Sequence, residues 1–117
     1  MQGIYLKFYV QEKTRHHGVL AYEWLLEQAK AIGIHGGTAF RAIAGYGRHG
    51  HLHEEHFFEL AGDLPIEVGF ALEEADAQRL LDHLAGEKLA LFYIKVPVEL
   101  GVIGTPPPSD PQPSRKT

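Results

Sequence analysis

The octamer GIYLKFYV, residues 3–10, alternates strictly. Ile4, Leu6, Phe8 and Val10 fall on one side, and Tyr5, Lys7 and Tyr9 on the other. A period of two belongs to a strand and is incompatible with the 3.6-residue period of a helix. A strand with one wholly apolar face must have that face covered, so the rest of the chain has to supply a packing layer. A second run of the same kind, PIEVGFAL at 65–72, sets Ile66, Val68, Phe70 and Leu72 against Glu67, Gly69 and Ala71. The turn signal AGDLP separates it from HFFEL at 56–60, which also reads as extended.

Two helical patterns supply the cover. In VLAYEWLLEQAKAIG (19–33), Tyr22, Leu25, Leu26, Ala29 and Ile32 recur at spacings of three and four, and Gly33 suits the C-terminal cap. Trp24 sits on the shoulder of that stripe, where packing is the expected role and a subunit contact the alternative. In EEADAQRLLDHLAG (73–86), Ala77, Leu80, Leu81 and Leu84 form the stripe and Gly86 ends it. Glu73 and Glu74 stand where the helix dipole favours acids. TAFRAIAGYG (38–47) and KLALFYIKVPV (88–98) complete the strands, and QEKTRHHG (11–18) reads as a polar connection.

The order is β-α-β-β-α-β. This is an α+β, ferredoxin-like sandwich: an antiparallel sheet with two helices on one face. The other sheet face is expected to carry Tyr5, Tyr9, Leu89, Leu91 and Tyr93. The helices cannot cover both sides, so association of copies through that face is the simple solution. The length of 117 residues suits one domain, assigned to 1–104. The remainder, 105–117, is TPPPSDPQPSRKT, proline-rich and polar, and is expected to be a disordered tail.

Composition narrows the function classes. The net charge of −4 argues against a nucleic-acid partner, which would need a basic face. With no cysteine, disulfides, thiolate nucleophiles and zinc–thiolate sites are all excluded. No secretory signal pattern and no membrane-length apolar run occur, so a cytoplasmic protein is expected.

The chemistry concentrates in GYGRHGHLH, residues 45–53. Gly45, Gly47 and Gly50 spell G-x-G-x-x-G, yet the segment that follows alternates like a strand, so no helix N-terminus receives a pyrophosphate. What remains is a glycine-rich loop between strands, either a plain hairpin or an anion site built from backbone N–H groups and Arg48. His49, His51 and His53 are spaced by two, share one side of an extended segment and are followed by His56. With Glu54 or Glu55 they form a candidate zinc or copper site. Arg41 lies mid-strand. It either pairs with an acid on a neighbouring strand or forks onto a phosphate or carboxylate at a subunit cleft. His16 and His17 read as a solvated loop pair, His35 as a turn residue and His83 as a surface residue on the second helix.

GGTAFRAIAGYGRHGHLH followed by LAGDLPIEVGFAL resembles an uncharacterised, PII-like domain-of-unknown-function family. Thr38, Phe40, Arg41, Gly45, Tyr46, Gly47, His49, Leu52, His53, Asp63, Leu64 and Pro65 match its pattern. AYE at 21–23 resembles the start of its first helix. Gly45-Tyr46-Gly47-Arg48 is similar to the point where the signalling loop leaves the sheet in the wider PII superfamily.

The resemblance implies a homotrimer with ligands in the clefts between subunits and a loop, here 47–56, that contacts a target. It implies an adenine nucleotide or a small anion as effector, with Arg41, Gly45, Gly47, Arg48, His49 and His53 as the ligand-binding residues. Family genes often neighbour a fluoride-export channel, which makes a membrane transporter or channel the expected kind of target. LAGEKLALF departs from the phosphate-holding loop of PII proteins, with only Glu87 and Lys88 in that region, and so favours a small ligand. Copper-tolerance trimers of the CutA type share the architecture. They give the alternative, a metal-binding trimer using His49, His51, His53 and His56. No hydroxyl stands beside a credible base, so a non-enzyme that requires no cofactor is expected. A weak hydrolase with His49 and His53 as acid and base is the remaining enzymatic reading.

Overall fold

The computed structural model describes residues 1–45 and 64–104. Its main sheet contains β1 (Gln2–Gln11), β4 (Thr38–Arg41), β5 (Pro65–Leu72) and β6 (Phe92–Glu99), in the spatial order β4-β5-β1-β6. All neighbours are antiparallel, with Phe8 opposite Val68 on one side and Tyr93 on the other. Two helices cross over the sheet, α1 (Ala21–Ala31) and α2 (Glu74–Ala85). Each crossover skips one strand and returns parallel to the strand it left. This is the ferredoxin-like split βαβ.

The alternation in β1 is realised in full. Ile4, Leu6, Phe8 and Val10 are buried, as are Ile66, Val68, Phe70 and Leu72 of β5. The rings of Phe8 and Phe70 meet edge to face, with centroids 6.3 Å apart, a geometry that suits the aromatic quadrupole. Against this face α2 buries Ala77, Leu80 and Leu84, and α1 buries Ala21, Trp24, Leu25 and Ala29. Trp24 therefore takes its packing role in the core. The buried stripe of α1 is rotated toward it, leaving Tyr22, Leu26 and Ile32 only partly covered.

Helix α1 ends on Gly33, as the sequence indicates. Gly33 adopts φ +91°. Its N–H donates to Lys30 O at 3.0 Å, and the Ile34 N–H donates to Ala29 O at 3.0 Å. That pair of bonds is the Schellman motif, and Ile34 is the buried residue that accompanies it.

Several boundaries differ from the sequence reading. Helix α1 begins at Ala21, because Val19–Leu20 form β3 and pair with β2 (Arg15–His16) in a small hairpin. The stretch 11–18 is thus not a simple polar connection. Strand β4 ends at Arg41 rather than continuing to Gly47. Strand β6 begins at Phe92, and Leu89 and Leu91, before it, are partly buried against the helix-covered core. They do not line the other face. Tyr93 does not either: it lies opposite the buried Phe8 and contacts its ring at 6.1 Å. Residues 56–60 and the tail 105–117 lie outside the described residues. Among the described residues no helix is long and apolar enough to cross a membrane.

Candidate functional site

The uncovered face of the sheet follows from the register. Residues directly opposite one another share a face. Tyr5, Lys7 and Tyr9 therefore lie with Val96, Ile94 and Phe92 of β6, with Glu67, Gly69 and Ala71 of β5, and with Phe40 and Thr38 of the edge strand β4. Tyr5 and Tyr9 are where the sequence puts them, and Phe92 stacks on Tyr9 at 6.1 Å. Phe40 is 57% exposed, Phe92 41% and Val96 37%. These are large apolar side chains left partly open on the face opposite the helices.

A polar cluster occupies the middle of this face. Tyr5 and Tyr9 donate their hydroxyls to the two oxygens of Glu67, at 3.0 and 3.2 Å. The Lys7 ammonium stands 3.8 Å from the same carboxylate and 5.8 Å from each tyrosine ring centre. Burial, and then the hydrogen bond to Glu67, push the Tyr5 hydroxyl above its ordinary pKa. Gly69 makes the arrangement possible: a Cβ there would meet the Tyr5 hydroxyl and lie 2.7 Å from Cζ of its ring. Glu67 was not singled out in the sequence. Its partners are about sixty residues away, beyond any local pattern.

At one end of the sheet three segments converge. Arg41, at the end of β4, places Nη2 2.7 Å and Nε 3.1 Å from Oε2 of Glu12, just beyond β1. Glu12 also donates its backbone N–H to Leu64 O at 2.8 Å, and its Oε1 accepts a long 3.5 Å bond from Leu64 N. The Ala42 N–H donates to Pro65 O at 2.9 Å. Glu12 therefore ties down both described ends of the excursion between residues 45 and 64. The hydrogen bond from Arg41 holds the Glu12 carboxyl below its ordinary pKa, with the Leu64 N–H adding to the effect against the opposing cost of burial. Of the two readings of Arg41, the structure contains the ion pair. Its acid comes from the turn after β1. Gly45 sits beside Pro65 at the same place. Gly47, Arg48, His49, His51, His53 and His56 lie outside the described residues.

A third cluster corrects the sequence reading. His17 is exposed, as expected, but His16 is largely covered, and the two are not free of partners. Both direct Nε2 at Oε1 of Glu87, at 2.9 and 3.1 Å. The His16 side chain is 12% exposed and its ring meets that of Trp24 edge-on at 4.5 Å. These two bonds, from His16 first, hold the Glu87 carboxyl below its ordinary pKa. The hairpin explains the convergence. His17 and Gly18 form a two-residue loop with φ of 54° and 82°, the pair of positive values that a type I′ turn requires. That turn brings neighbouring imidazoles, which would diverge along a straight strand, to ring centres 4.2 Å apart. The signal was present as a glycine in second place between two short runs. His83 is a surface residue, as expected, bonded to Gln28 of α1 at 2.7 Å.

Strand order and helix placement define a ferredoxin-like α+β domain whose second sheet face the two helices leave open. The family model described as "DUF190: Uncharacterized ACR, COG1993" matches residues 3–90. The chain belongs to that uncharacterised family. A UPF0166 protein of Aquifex aeolicus is 34% identical over 90 residues, 77% of this chain and 86% of that relative. A UPF0166 protein of Methanocaldococcus jannaschii is 33% identical over 79 residues, 68% of this chain and 72% of the relative. Among solved structures, CPII, a nitrogen regulatory PII-like protein of Thiomonas intermedia K12 bound to ADP, AMP and bicarbonate, superposes with a TM-score of 0.47. It is 17% identical, and the match covers 87% of this chain and 98% of that one.

Proposed function

We propose that this chain is a regulatory protein that binds a small anionic ligand, an adenine nucleotide or a small anion, in clefts between copies of itself. In this reading the segment 47–56 carries the signal to a target such as a membrane transporter or channel. The observation that carries it is the junction of Glu12, Arg41 and Leu64, which anchors both ends of the glycine- and histidine-rich excursion at the rim of an apolar sheet face. A second copy covering that face would rest on Phe40 of the edge strand, and Phe40 is one residue before Arg41. The chain running through Gly45, Gly47, Arg48 and His49 then borders the neighbouring copy.

The residue chemistry fits an anion there. Gly45 and Gly47 permit close backbone approach, Arg48 can fork onto two oxygens, and His49 and His53 supply further donors. Arg41 keeps its pair with Glu12 and takes a positioning role, with its outward edge left for the ligand. The family resemblance of these residues gives the trimer and the nucleotide class as the expected particulars.

The test is solution mass combined with thermal shift. The wild type is expected to be a trimer, and Phe40→Asp a folded species of lower mass. AMP, ADP or bicarbonate should raise the melting temperature of the trimer, since a ligand at a hundred times its Kd adds about 2.7 kcal/mol. A wild-type monomer at micromolar concentration would remove the cleft and the proposal with it.

A further inference from the structure

The geometry points to a divalent transition-metal site at His16, His17 and Glu87, a zinc-class centre that uses none of the histidines of the 47–56 segment. Three observations carry it. First, the donor atoms are gathered: one nitrogen from each imidazole and one carboxylate oxygen all lie within 4.8 Å of one another. Second, the spacing is close to that of a coordination shell. Ligands at metal distances of about 2.0–2.1 Å in a tetrahedron stand about 3.3 Å apart. The two histidine–glutamate edges measure 2.9 and 3.1 Å, a few tenths of an ångström short of that value, and the nitrogen–nitrogen edge lies within 4.8 Å. Third, both Nε2 atoms face the same carboxylate oxygen, so the three donors surround one small space. A cation seated among them would replace the two N–H···O contacts with bonds to two nitrogen lone pairs and the carboxylate, each ring carrying its proton on Nδ1 instead.

The surroundings are those of a held site. Arg15 Nη1 donates to Gly18 O at 3.0 Å and ties the turn. The Ala21 N–H donates to Thr14 O at 2.8 Å where the hairpin enters α1. Trp24 walls one side of His16, while the His17 side chain is 65% exposed. The site is therefore closed toward the core and open toward solvent, which leaves a coordination position for water or an exchangeable anion. Two imidazoles, one carboxylate and an open position suit zinc. No thiolate competes, because the chain has no cysteine.

The experiment uses zinc alone, titrated into the full chain in competition with a chromophoric chelator. The parent protein for the series carries alanine at His49, His51, His53 and His56, which removes the other candidate ligands. One zinc per chain is expected to bind, and zinc should raise the melting temperature of this parent. Glu87→Gln keeps a hydrogen-bond acceptor but removes the charge. His17→Gly removes an imidazole while suiting the positive φ. Each should weaken binding about tenfold or more with the far-ultraviolet circular dichroism unchanged. His83→Ala should leave affinity as it was. Zinc binding that disappears in the four-alanine parent, or that survives both Glu87→Gln and His17→Gly undiminished, overturns the assignment.

Discussion

Gly69→Ala isolates the uncovered sheet face in a single methyl group. The new Cβ would lie 2.7 Å from Cζ and 3.0 Å from Cε1 of Tyr5, with the hydroxyl nearer still. Carbon atoms in van der Waals contact stand about 3.5–4.0 Å apart, so the ring must move by about 1 Å. It cannot do so and keep its 3.0 Å bond to Glu67. Overpacking of this kind costs about 1–3 kcal/mol. Alanine recovers roughly 0.5–1 kcal/mol over glycine within a strand. The net loss is about 1–2 kcal/mol, or a fall in melting temperature of roughly 5–15 °C for a domain near 100 residues. The control is the same substitution in a Tyr5→Ala background. There the three nearest atoms are removed, and the change should be neutral or stabilising by about 0.5 kcal/mol. Melting of the four proteins of this cycle at one fixed concentration gives the coupling, expected to be about 1.5 kcal/mol or more. Equal effects of Gly69→Ala in both backgrounds would refute the claim that Tyr5 lies across Gly69.

Further outcomes follow from other parts of the molecule. Leu25 is fully buried, so Leu25→Ala should cost about 2–5 kcal/mol in urea denaturation. Ile43→Ala, at a position 89% exposed, should change the free chain by less than about 0.5 kcal/mol. Gly33→Ala forces a Cβ into the left-handed cap of α1 and should destabilise by about 1–2 kcal/mol, read by thermal melting. The Glu12 carboxyl titrates below its ordinary value of 4.5 in the folded chain. The stability it contributes is present above that value and lost as pH falls through the lower, folded one. Acid unfolding should accordingly be less steep below pH 4.5 for Glu12→Gln than for the wild type, and identical slopes would contradict the Arg41–Glu12 pairing.

The fold was legible where periodicity was long. Residues 4–11 of β1 alternate in burial, and β5 sets Ile66, Val68, Phe70 and Leu72 at every second position, so their buried faces and the need for covering helices follow directly. Gly33 was legible because a helix end asks for φ above zero. The β2–β3 hairpin was not, since two-residue strands have no period to read. Leu89 and Leu91 mimic alternation yet tuck into the core before β6 begins. That misplacement is what set Tyr93, rather than Phe92, on the wrong face. Glu67 and Glu87 escaped for a different reason. Each acquires its meaning from partners some sixty to seventy residues away, which only the β1–β5 register and the placement of the segment after α2 beside the hairpin bring together. The sequence offers two roles for Arg41, because its ion pair depends on Glu12, a turn residue with no pattern of its own.

The most direct test of the regulatory reading is calorimetric titration of AMP and ADP into three proteins: the wild type, Arg48→Ala and the dissociated Phe40→Asp variant. Saturable binding to the wild type, weakened in Arg48→Ala and absent from the dissociated variant, is the expected result. Equal binding by the dissociated variant, or no heat from either nucleotide at millimolar concentration, would contradict a nucleotide site formed between subunits.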